Sequence, residues 1–114
     1  MKLQIEGQSL RVRIGEVELG TLMAGDALVS RTGFAQAFVM TCTVRLGAGD
    51  AALFSGRPDA WLIEIPEAAV RDHARRLPTR EGLKFILAGK EEGDALELRF
   101  DVDVRDSVRR RRSS

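Results

Sequence analysis

The sequence predicts an α+β fold: about eight strands, antiparallel, in a curled sheet or barrel, with two short helices in the order ββαββ-ββαββ. Three observations predict it. Apolar and polar residues alternate strictly along several stretches, and a period of two is what a half-buried strand requires. Helical spacing occurs in only two places, Glu16–Ala24 and Pro66–Leu77. Short turns rich in Gly, Pro and Asp separate the strands, and links that short favour antiparallel pairing. Two helices cover too little of about eight strands for an open sheet, so the strands must close into a barrel or pack as two sheets.

The longest alternation is Leu96–Arg105. Leu96, Leu98, Phe100, Val102 and Val104 share one face, while Glu97, Arg99, Asp101, Asp103 and Arg105 share the other. From the start of the chain, Lys2–Glu6 and Ser9–Ile14 read as strands joined at Gly7-Gln8, with glycine first as a type II′ hairpin prefers. Glu16–Ala24 places Leu19, Leu22 and Met23 on one helical face, with Glu16 and Glu18 in the first turn and Gly25 as its stop. Ala27–Thr32 is a strand that suits a sheet edge, and Ala37–Leu46 is a β-branched strand. Ala51–Ser55 and Ala60–Ile65 follow, separated by Gly56-Arg57-Pro58-Asp59. Pro66 and Glu67 open the second helix, whose apolar stripe is Val70, Ala74 and Leu77. Leu83–Ala88 and the Leu96 strand close the chain.

The chain has 114 residues, a length that suits a single domain. Residues 1–106 are expected to form that domain, and 107–114 a flexible basic tail. The lone cysteine, Cys42, excludes a disulfide framework and a thiolate-rich metal site, and it favours a reducing compartment. No apolar run reaches membrane-spanning length and the opening residues lack a signal-peptide core, so the expected location is cytoplasmic. Net charge is +1, but Arg109, Arg110, Arg111 and Arg112 carry it, and without those four the remainder stands at −3. A basic footprint for nucleic acid therefore exists only in the tail.

The candidate ligand-binding residues are the charges that alternate with core positions: Arg11, Arg13, Glu64, Lys84, Glu97, Arg99, Asp101 and Asp103, with Lys2 and Glu6 beside them. Such faces ordinarily meet solvent and pair across strands. Lining a cavity, the carboxylates suit a hard divalent ion such as Mg²⁺ and the arginines suit phosphate oxygens. Asp101 and Asp103 project from one face about 7 Å apart along the strand. His73, the single histidine, sits at the edge of the second helix's stripe without a sequence neighbour to orient it, and reads as a boundary residue. Cys42 reads as a buried small hydrophobe. Trp61, Phe34, Phe38, Phe54, Phe85 and Phe100 read as core. Nucleophile elbows, phosphate loops and zinc spacings are absent from the sequence.

Lys2-Leu3-Gln4-Ile5-Glu6-Gly7-Gln8-Ser9-Leu10-Arg11-Val12-Arg13 resembles the opening of a family of small uncharacterised bacterial proteins that begin K-[LI]-x-I-x-G-x-S-[LI]-R-x-R. Ile63-Glu64-Ile65-Pro66 and the final strand look like that family too. Its last strand reads E-K-D-F-x-C; here Asp101–Asp106 keeps the aspartate at Asp103 and lacks the lysine and the cysteine. That resemblance implies no activity. By order of elements the chain also resembles the triphosphate-tunnel (CYTH) superfamily, a duplicated antiparallel barrel lined with charges. Its E-x-E-x-K hallmark is only partly matched by Lys2–Glu6, which holds one acid.

The leading expectation is a small binding or interaction module with no evident catalytic constellation or cofactor, self-associating as a homodimer through an edge strand. A phosphate-ester or triphosphate-binding or -hydrolysing barrel with Mg²⁺ is one alternative. A nucleic-acid accessory acting through Arg109–Arg112 is the other.

Overall fold

The computed structural model describes residues 1–104. Eight strands and two helices occur in the expected order: β1 (Lys2–Glu6), β2 (Ser9–Gly15), α1 (Glu16–Met23), β3 (Leu28–Phe34), β4 (Phe38–Gly47), β5 (Leu53–Arg57), β6 (Ala60–Pro66), α2 (Glu67–Arg75), β7 (Leu83–Leu87) and β8 (Leu96–Asp103). They form two four-stranded sheets, β1-β2-β8-β7 and β3-β4-β6-β5.

No closed barrel forms, and the pairing is mixed rather than antiparallel. Within each sheet two hairpins are antiparallel, but the central strands run parallel: β2 beside β8, and β4 beside β6. The reason lies in the helices. After β2 the chain passes through α1 into the other sheet, and after β6 it passes through α2 back again. Alternation within a hairpin reveals its own two strands; it says nothing about which distant hairpin lies alongside.

The topology repeats. Replacing β1, β2, β3 and β4 by β5, β6, β7 and β8, and the reverse, converts each sheet into the other. Position by position, Gly15 opposite Asp103 corresponds to Pro66 opposite Gly47. Each sheet is therefore built from both halves of the chain.

Between the sheets and helices lies one core. Val12, Ile14, Leu98 and Phe100 come from one sheet and Val44, Ile63 and Ile65 from the other, all buried. Burying each such side chain contributes roughly 1.5–3 kcal/mol. Leu19 and Leu22 of α1 and Val70 of α2 join them. Arg71, midway along α2, donates to the Met23 carbonyl at the end of α1 at 3.0 Å and satisfies one of the acceptors that a helix leaves open. Glu18 accepts the Gly15 N–H at 3.0 Å at the start of α1. Burial pushes its carboxyl up, but bonds from the Met1 ammonium and Gly15 outweigh that and hold it below its usual range.

Two expectations about the core need correction. His73 is no boundary residue: it is 2% exposed, packed at the position that corresponds to Leu22 in α1. Burial lowers its pKa first of all, with Arg76 acting in the same direction and Asp101 and Asp72 opposing. Phe34, Phe38 and Phe54 are not core, at 44%, 55% and 38% exposed. The phenylalanines at 34 and 38 sit at the tip of the β3–β4 hairpin, their rings 4.9 Å apart, and Phe54 lies on edge strand β5. Cys42 is buried as expected, and burial raises its thiol to about 11.

Candidate functional site

The register of the first sheet decides which charges meet. β1–β2 is a hairpin, β2 runs beside β8, and β8 pairs back with β7. Their outward positions align in rows. Lys2 lies opposite Arg13, and Arg13 opposite Asp101. In the next row Gln4, Arg11, Arg99 and Lys84 follow one another across four strands. Beyond it come Glu6, Ser9, Glu97 and Ile86. Arg11, Arg13, Lys84, Glu97, Arg99, Asp101 and Asp103 thus share one face. Glu64 does not. It lies on β6 in the second sheet, where Arg45 reaches it at 3.4 Å. Equal alternation in the sequence concealed that difference.

Three cations stand side by side in the Arg11–Arg99–Lys84 row, an arrangement that repels. Two carboxylates hold it together. Glu97 takes Lys84 Nζ at 2.9 Å, Arg99 Nε at 3.1 Å and the Ser9 hydroxyl at 3.2 Å. Lys84 and then Arg99 pull its pKa down to about 2. Asp101 takes Arg11 Nε. It lies against Gly82, where an added Cβ would collide with its carboxylate and meet the Phe100 carbonyl at 2.7 Å, so the chain passes there only without a side chain.

Depressions flank the Arg11–Arg99 pair. One, of about 810 Å³, is lined by Gln4, Ile5, Glu6, Ser9, Arg11, Glu97 and Arg99, two cations against two acids. The other, of about 370 Å³, is lined by Arg11, Arg80, Glu81, Gly82, Leu83, Lys84, Arg99 and Asp101, four cations against two acids. Arg80 makes no ion pair among the described residues. The sequence reading missed Arg80 and Ser9. Ser9 opens the second strand without a charge to mark it, and the only signal for Arg80 was its place beside the Leu83 strand. Arg13 stands apart from both linings, its Nε buried and without a hydrogen-bond partner among the described residues. Asp103 ends its strand opposite Gly15.

Nothing here assembles a metal centre: no three His, Cys, Asp or Glu side chains gather to hold an ion among the described residues. Glu97 and Asp101 face cations instead. The Arg109–Arg112 run lies outside the described residues. No described helix is long and apolar enough to cross a membrane. Compared with known proteins, the chain matches no family model and no curated sequence.

Proposed function

We propose that this chain is a binding module whose seat is the outward face of the β1-β2-β8-β7 sheet, and that it takes a phosphate-bearing ligand through Arg11, Arg80, Lys84 and Arg99. The observation that carries the proposal is the cross-strand row Arg11–Arg99–Lys84 beside a depression of about 370 Å³ that four cations and only two carboxylates line. Like charges directly opposite destabilise a sheet, and a bound anion relieves them. Arginine suits phosphate because its planar fork offers paired donors. Arg11 and Arg99 each give Nε to a carboxylate, on Asp101 and Glu97. The proposal assigns no reaction and needs no metal, since Glu97 and Asp101 are occupied by cations. The opening motif's resemblance implies no activity, so the surface alone supports this reading.

Thermal unfolding with inorganic phosphate or triphosphate, with and without Mg²⁺, tests it. A ligand bound only by the folded state adds about 2.7 kcal/mol at a hundredfold excess over Kd. Triphosphate is expected to raise Tm, and Arg80→Gln or Lys84→Gln to weaken binding roughly tenfold, the loss of one charge-assisted contact. No rise at millimolar triphosphate sinks the proposal. A rise that requires Mg²⁺ replaces it with the metal-assisted reading through Glu97, Asp101 and Asp103.

A further inference from the structure

A second surface stands apart from the charged face. The edges of the two sheets are β1, β7, β3 and β5. At seven residues β3 is the longest, against five for each of the others. It holds no proline and a single charge, Arg31. Proteins ordinarily protect such an edge with charges, proline or a bulge, because its free N–H and C=O groups accept another strand. On the outward side of β3, Val29 is 66% exposed beside Arg31. The hairpin continues to the exposed pair of Phe34 and Phe38.

Arg31 separates the possible occupants. It makes no hydrogen bond or ion pair among the described residues. Lys84 on edge strand β7, by contrast, already pairs with Glu97 at 2.9 Å. A second copy of β3 offers Arg31 nothing. Leu28–Phe34 contains no acidic residue, so no register of β3 on β3 supplies a carboxylate. Antiparallel pairing about a twofold axis brings residues of equal parity face to face, which sets Arg31 against Val29, Gly33 or its own symmetry mate. Of the other edge strands, β5 and β7 hold no acid and β1 flanks Glu6 on its own side with Gln4 rather than an apolar residue, so charge complementarity selects another protein's strand.

We propose that β3 is a strand-addition site for an extended segment of another protein, one that carries an acidic residue between apolar residues on the same side. Main-chain hydrogen bonds to the β3 edge supply the affinity, and alternate side chains supply the choice. The acid meets Arg31. Its apolar neighbour two positions along meets Val29. This site shares no residue with the proposed phosphate seat, so either can fail without the other.

The probe is a synthetic peptide, Thr-Val-Thr-Glu-Thr-Val-Thr, and its twin with lysine in place of glutamate. Dissociation constants come from fluorescence anisotropy, and amide hydrogen exchange locates the contact. The glutamate peptide is expected to bind about tenfold tighter than the lysine peptide, the factor that one charge pair commands, and to protect the amides of Leu28–Phe34. Arg31→Glu reverses the preference, and Arg31→Gln abolishes it without reversal. The proposal is overturned by binding without charge preference, by no protection of β3 at millimolar peptide, or by sedimentation of the free protein as a dimer with its β3 amides already protected.

Discussion

The two sheets share one topology and present opposite surfaces. In the β1-β2-β8-β7 sheet the central outward row is Gln4, Arg11, Arg99 and Lys84. The corresponding row of the β3-β4-β6-β5 sheet is Ser55, Leu62, Thr43 and Val29. One row further, Arg13 opposite Asp101 becomes Glu64 opposite Arg45, the same pair with its signs exchanged. Fold therefore does not dictate surface here. Inward positions are constrained to be apolar in both sheets, while outward positions are free to diverge, and they have diverged into one charged face and one largely neutral face.

Breaking the inward likeness should produce the largest effect. Phe100 and Val44 hold corresponding, fully buried positions. Phe100→Ala is expected to cost about 3–5 kcal/mol, and Val44→Ala roughly 2 kcal/mol, read as shifts of the urea midpoint at constant slope. A loss below about 1 kcal/mol at either position would contradict its burial in the shared core.

Copying the charged row onto the neutral sheet sharpens the outward contrast. Thr43→Arg with Leu62→Arg places two cations opposite one another where Thr41 and Arg45 stand in place of Glu97 and Asp101. Roughly 1 kcal/mol of stability should be lost, and most of it recovered in 1 M salt, where such repulsion is screened. A loss that salt leaves unchanged would point to packing instead.

The smallest expected effect concerns His73 and its counterpart Leu22. Burial lowers the histidine's folded pKa below its usual value near 6.5. The unfolded chain then binds the proton more readily, so the stabilisation is present above pH 6.5 and is lost as pH falls through that value toward the folded pKa. The groups that act on the imidazole are Arg76, Asp101 and Asp72. Urea midpoints measured from pH 7.5 to 5 should fall less steeply in His73→Leu than in the wild type, and parallel curves would contradict this assignment.

Much of the fold was legible because alternation is local. Leu96 through Asp103 declares a half-buried strand whatever lies beside it, and the same holds for Lys2–Glu6 and Ala60–Ile65. Pro66-Glu67 likewise marks a helix start by local chemistry alone. Pairing is not local. Arg11 and Asp101 are an ion pair across 90 positions, and only the parallel register of β2 on β8 brings them together. Glu64 alternates just as they do, yet belongs to the other sheet. His73 looked peripheral on its own helix because the layer that covers it comes from elsewhere. Phe34 and Phe38 looked like core by residue type, but they close the tip of a hairpin and remain exposed there.

The parallel pairing of β2 with β8 also governs the order in which the molecule can assemble. Sheet β3-β4-β6-β5 is complete within residues 28–66, whereas its counterpart joins Ser9 to Glu97 across 88 positions. Closing a longer loop costs more chain entropy and slows folding. On a ribosome the central sheet can form while the rest of the chain is still being made. The β1–β2 hairpin must wait, the β2 edge unpaired, until β8 emerges to dock beside it. Of the two sheet surfaces, the charged face is thus the last to come into being.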